Sequence, residues 1–280
     1  MSTSPTGIDR ARQVTVTVAE VACVLGTLVG VGVLGTEVSA VSGGALSADS
    51  TLVAPAGPAF SIWSVIYAGL AAYTVYQWLP GQATSERQRR TGWLAAASMV
   101  LNAAWLLVVQ QGWIWGSVVV IGALLATLVE IGRRLTATRP EGGATRVADA
   151  VVVDGTFGLY LGWVAVATGA NVTAALVEGG MAATGVVGYV VSLLVLVAVT
   201  LGGVVLAQRL GGRVTVAGAT IWGLGWLAYG RLTDSPDSVL VAVAAVVAAL
   251  VLAAAVVRVR LGGARRGSST GRRTGSTVVV

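Results

Sequence analysis

The stretch "FGLYLGWVAVATGANV", residues 157–172, is apolar enough for lipid and yet carries Tyr160, Trp163 and Asn171. Tyr160 and Trp163 stand three residues apart, which puts them on one face of a helix. Asn171 follows two turns later, displaced by about 80° at ~100° per residue. A buried asparagine of this kind either bonds a neighbouring helix, worth ~0.6 kcal/mol, or serves a site. Which of the two applies depends on what the rest of the chain places beside it.

Composition fixes the class of protein. The 280 residues are 55% hydrophobic and 11% charged, with mean hydropathy +0.83, whereas about a quarter of residues are charged in soluble domains. The chain therefore reads as an integral membrane protein. Its net charge of +6 reports topology and not nucleic-acid binding, because positive residues on membrane proteins collect in cytoplasmic connections. All 18 basic residues are arginine. Without lysine there is no Schiff-base attachment of a retinal-type group; without histidine the usual metal ligand, axial haem ligand and proton shuttle are missing. The single Cys23 lies in an apolar run and cannot form an intrachain disulfide.

Apolar runs near the ~20 residues needed to cross a bilayer fall at about 14–35, 57–79, 91–110, 113–134, 150–177, 184–208, 214–231 and 237–260. They predict an all-α polytopic membrane bundle of about eight transmembrane helices. Arginines precede the first run (Arg10, Arg12) and separate the second from the third (Arg87, Arg89, Arg90). They also separate the fourth from the fifth (Arg133, Arg134, Arg139, Arg146) and the sixth from the seventh (Arg209, Arg213), and six follow the eighth. Only Arg231 departs from this alternation, so both termini are expected on the cytoplasmic side of a bacterial inner membrane. A cleaved signal peptide is the competing reading of the first run, since "VSA" at 38–40 resembles a cleavage site. The run exceeds the ~7–15 residues of a signal core, which favours a retained helix. Residues 1–13 read as a cytoplasmic tail and 262–280 as a basic, disordered one able to lie near anionic headgroups. From Thr36 to Ala56 runs the one long outer connection, a length often used for a lid.

Small residues recur at helix-packing intervals, Gly26 with Gly30 and Gly158 with Gly162, and in lipid these let backbones approach closely. More informative are the polar and aromatic stripes. Trp63 and Tyr67 share a face of the second span, and Asn102 and Trp105 share a face of the third. Together with Tyr160, Trp163 and Asn171 they put an aromatic residue and a polar partner on three helices, at depths that suggest a common pocket in the outer half of the bilayer. Trp78, Trp93, Trp113 and Trp115 fit the interfacial belt that amphipathic indoles form in any membrane protein. Glu130 is close enough to Arg133 and Arg134 to snorkel, and Asp149 and Asp154 suit the first turns of the fifth span. Glu20 is the one acid deep enough to be a functional candidate.

The motifs P-x(7)-W-x(3)-Y (Pro55, Trp63, Tyr67), LNxxW (Leu101, Asn102, Trp105) and YLxW-x(7)-N (Tyr160, Leu161, Trp163, Asn171) resemble those of the TspO/translocator-protein family of tryptophan-rich sensory proteins. The resemblance covers roughly residues 14–178 and implies a five-helix core, followed by three additional helices over 179–261. It further implies a pocket, closed by the loop after the first helix, that binds porphyrins, sterols or other aromatic ligands. Pro55, Trp63, Asn102 and Trp163 would line it; Tyr67, Trp105, Tyr160 and Asn171 would line or support it. Ala54 and Leu159 stand where family members often have proline. The implied role is a binding protein or sensor for a flat hydrophobic ligand, with no required cofactor and no evident catalytic set. A porphyrin-type ligand and the bilayer are the expected partners; a homodimer is compatible with the sequence. Lacking histidine, the site suits a metal-free porphyrin better than haem. Two other readings stay open: a secondary transporter of a small hydrophobic solute, using Glu20, and a membrane assembly partner. Trp222, Trp226 and Tyr229 either extend a ligand surface or anchor the seventh span.

Overall fold

A computed structural model describes residues 4–30, 38–138 and 144–271. The first two residues of the outer connection, Arg139 and the tail beyond residue 271 lie outside the described residues. Among the described residues eight long helices carry the fold: α1 (Gly7–Gly30), α2 (Ile62–Tyr76), α3 (Glu86–Gln110), α4 (Ile114–Ala137), α5 (Thr156–Glu178), α6 (Gly185–Arg209), α7 (Val214–Thr233) and α8 (Val239–Gly271). Seven of them, with their adjoining turns, are long and apolar enough to cross a membrane; α7, with Arg231 and several threonines in its 20 residues, is the eighth.

Local chemistry explains the boundaries. α1 starts well before the apolar run because Thr6 and Asp9 cap it reciprocally: the Asp9 carboxylate accepts from the Thr6 amide at 3.0 Å, and the Thr6 hydroxyl accepts from the Asp9 amide at 3.2 Å. A 3-10 turn containing Pro58 (Gly57–Ser61) leads into α2. Gly112, at φ 71°, allows the tight reversal between α3 and α4. α8 continues to Gly271, past the point at residue 262 where the apolar pattern stops.

The helices form two closed groups that share a member. α1 packs on α3, α3 on α4, α4 on α5, α5 on α2 and α2 on α1, making a five-helix ring. α5 also packs on α7, α7 on α8, α8 on α6 and α6 on α5. α5 thus has protein on both sides. Its glycine face meets α7: a Cβ on Gly158 would collide with Thr215, and one on Gly162 with the Val216 carbonyl and Ala219. Thr220 donates to the Gly162 carbonyl at 3.1 Å, while across the interface Gly223 of α7 accommodates Val166. Gly26 plays the same part between α1 and α3, seated against Ala103. Such close approach is what small residues supply where no hydrophobic effect drives helices together in lipid.

One end of the bundle is strongly polar. Asp9 receives Arg12 at 3.3 Å and Arg89 at 2.7 Å. Arg87 reaches Asp149 at 3.6 Å and Asp154 at 2.8 Å, and Arg213 reaches Asp154 at 2.7 Å. Asp149 and Asp154 flank the entrance of α5 through a π-helical turn, Asp149–Gly155, so they serve as ion-pair partners across three helices and not only as helix-end charges. Glu130 pairs with Arg133 and Arg134 along its own helix.

Gly162→Ala is expected to lower stability by about 1–3 kcal/mol, the scale of overpacking a close contact, because the obstacle is a backbone carbonyl and cannot rotate away. Gly122→Ala in α4, where a Cβ meets open space, is expected to change stability by no more than about 1 kcal/mol. Thermal unfolding of both variants in detergent checks the pair.

Candidate ligand pocket

The five-helix ring closes around a cleft. Pro55, Phe60, Trp63, Asn102, Trp105, Trp163 and Asn171 line it, with Ile121 and Leu124 from α4 and with Leu46, Ser47 and Ser50 from the outer connection. The empty volume of the cleft, its open mouth included, is about 650 Å³. Its aromatic walls touch one another across it.

Those walls are built on helix spacing. Trp63 and Tyr67, one turn apart on α2, stack at 5.2 Å and 16°. Trp63 meets Tyr160 and Trp163 of α5 edge-on at 5.9 and 6.3 Å. Phe60 meets Trp163 edge-on at 5.6 Å. Edge-to-face pairs of this kind contribute about 0.5–1.5 kcal/mol each beyond area burial. Tyr67 and Tyr160 stand behind the lining; Tyr160 is fully buried and its hydroxyl donates to the Ser98 carbonyl of α3 at 3.2 Å. Sequence reasoning missed Phe60, although it lies one turn before Trp63 and so shares its face.

The polar groups divide into satisfied and unsatisfied. The Trp105 indole N–H donates to the Asn171 carboxamide oxygen at 2.8 Å; the Asn171 amide donates to Ser117 at 2.8 Å, and Ser117 donates to the Ile114 carbonyl at 2.7 Å. Asn171 thus has a helix-bridging task linking α3, α4 and α5. Asn102 is only half engaged. Its amide donates to Tyr67 at 3.1 Å and approaches the Cys23 sulfur at 3.5 Å, but its carbonyl oxygen has no partner among the described residues, and neither has the Trp163 indole N–H. Both side chains are buried, at 0% and 1% exposure. An acceptor and a donor left open in the lining of one apolar cleft are costly unless something meets them.

The outer connection forms the roof. It runs through a 3-10 turn at Val38–Gly44 to Pro55 and Phe60. The Ser47 hydroxyl donates to the Asp49 carboxylate, holding its carboxyl below the usual carboxylate range. Other residues singled out in the sequence lie outside the cleft. Trp78, Trp93, Trp113 and Trp115, read as an interfacial belt, face outward at 43–67% exposure. Glu20 is buried one turn from Cys23, with neither carboxylate oxygen partnered among the described residues. Trp222, Trp226 and Tyr229 form an edge-to-face ladder along α7, outside the cleft.

A polytopic helical membrane protein with a roofed aromatic cleft is the class that fold and site define. The model of the family described as TSPO-like protein matches residues 15–258, and the chain belongs to that family. The matched region continues through α6 and α7 and into α8, so the three later helices fall within it. No curated protein and no solved structure matches the chain.

Asn171→Leu frees the Trp105 indole and the Ser117 hydroxyl together and is expected to destabilise the protein by about 1–2 kcal/mol. Ser117→Ala should cost less, since Asn171 then keeps its bond from Trp105. Denaturant midpoints in mixed micelles measure both.

Proposed function

We propose that the protein binds a flat, hydrophobic ligand, a porphyrin or other tetrapyrrole or a sterol-like lipid, in the roofed cleft, and acts as a membrane sensor or carrier for it. Family membership supports a ligand-binding or sensory role in the membrane. The observation that carries the finer reading is the pairing of the open Asn102 oxygen and the open Trp163 N–H within a lining otherwise made of rings and aliphatic side chains. A ligand with an apolar plane and one polar edge answers both features. It would lie against Trp63 and Trp163, displace Phe60, and turn a donor toward Asn102 and an acceptor toward Trp163. Recognition is by stacking and hydrogen bonding without coordination, consistent with a chain that has no histidine. The arginine alternation supports cytoplasmic termini and, with them, a cleft in the outer half of a bacterial inner membrane.

Metal-free protoporphyrin IX is expected to quench tryptophan fluorescence of the wild-type protein saturably. Trp63→Ala should weaken binding by at least about tenfold, from loss of both area and stacking. Asn102→Leu, which keeps the shape but removes the polar atoms, and Trp163→Phe, which removes the indole N–H together with part of the ring, should each weaken it by about three- to tenfold. Equal affinity in all four proteins would refute the site.

The unpartnered Glu20 carboxyl, held one turn from the Cys23–Asn102 contact, favours a second reading in which ligand movement is coupled to a proton. On that reading Glu20→Gln abolishes pH-gradient-driven uptake into proteoliposomes while leaving protoporphyrin quenching intact. Uptake unaffected by the substitution would remove it.

A further inference from the structure

The walls of the cleft come from α2–α5, but its roof is fastened to α6–α8. Leu52 and Val53, 0% and 2% exposed, leave the roof to join the apolar cluster of Leu196, Leu227, Val241 and Ala245. Leu46, Ser47, Ser50 and Pro55, in the same segment, face the cleft. The segment is therefore two-sided. α7 holds it further by backbone and side chain: the Ala56 amide donates to the Trp226 carbonyl at 3.2 Å, the Trp222 indole donates to the Ala59 carbonyl at 3.0 Å, and Gly230 leaves room for Ala56.

The centre of this attachment is Arg231, the one arginine outside the topological alternation. Its side chain is completely buried. The guanidinium donates to the carbonyls of Ala48 and Thr51, each at 3.0 Å, and to that of Pro236 at 2.8 Å. Among the described residues no carboxylate is within ion-pair distance, although Asp49, Asp234 and Asp237 act on it through space. A buried cation is expensive, and this one is devoted to main-chain acceptors of the roof and of the α7–α8 connection. The planar fork of arginine reaches several carbonyls at once, which a lysine ammonium does less well.

We propose that α6–α8 are the anchor of the pocket roof and that Arg231 is the positioning residue that keeps it closed, so that ligand exchange is governed from outside the five-helix ring. The proposal rests on the ligand-binding reading for its consequence but not for its test. Val53→Cys provides a thiol that is covered when the roof is seated; the native Cys23, fully buried, gives the background. Labelling by a water-soluble maleimide is expected to be slow with Arg231 present and at least about tenfold faster in Arg231→Met, where three carbonyls lose a charged donor. Trp222→Phe, which removes the bond to Ala59 and shrinks the ring against Trp226 while leaving Arg231 in place, should speed labelling by about threefold and preserves the fold if Arg231→Met does not. Unchanged labelling in Trp222→Phe, or in a folded Arg231→Met, would overturn the latch. Protoporphyrin IX should associate and dissociate faster in the same variants, with the equilibrium affinity altered less than either rate. Faster labelling without porphyrin binding in any variant would leave the latch standing and remove the ligand reading.

Discussion

The close contact between α5 and α7 is the constraint on which the molecule depends. In lipid, two helices gain little by hiding apolar side chains from each other, so their association rests on how near the backbones come. Gly158 and Gly162 let α7 sit directly on α5, near enough for Thr220 to bond a main-chain carbonyl of the neighbouring helix. With that face taken by glycine, the bulky residues of α5 must occupy the other one. Tyr160 and Trp163 are thereby turned into the ring, where Trp63 and Phe60 meet them edge-on. A single helix, small on one side and aromatic on the other, joins the two helical groups and forms one wall of the cleft.

Polar chemistry is partitioned along the bundle. At one end, arginines from α1, from α3 and from the residue that caps α7 are matched by Asp9, Asp149 and Asp154, a network that fixes helix ends by charge. Within the cleft the design is sparser. Asn171 spends its carboxamide on tying α3 to α4, while Asn102 and Trp163 hold one atom each in reserve. The lining is thus apolar, with two buried polar atoms that have no partner among the described residues.

Much of this was legible in the chain. Hydropathy located the eight helices because transfer into lipid dominates the composition of most of them, and three- and four-residue spacings located the aromatic faces because helix geometry is rigid. The three motifs brought Pro55, Trp63, Asn102, Trp105, Trp163 and Asn171 to one cleft. What escaped was whatever depends on partners distant in sequence. The early start of α1 is set by Thr6 and Asp9, polar residues that an apolar scan passes over. Asp149 and Asp154 look like helix-end charges until Arg87 and Arg213 are seen across the interface. Arg231 reads as an exception to a topological rule, and only its three carbonyl partners give it a purpose. Leu52 and Val53 sit in a loop whose serines and glycines advertise the surface, although both are buried.

The bond from Arg231 to Thr51 spans 180 positions of the chain. At ribosomal rates of about 5–20 residues per second, the outer segment leaves the insertion machinery roughly ten to forty seconds before its holder has been made. During that interval the first five helices can assemble, but the segment above them has no seat for Leu52 or Val53. Maturation of the cavity is thus deferred to the end of translation.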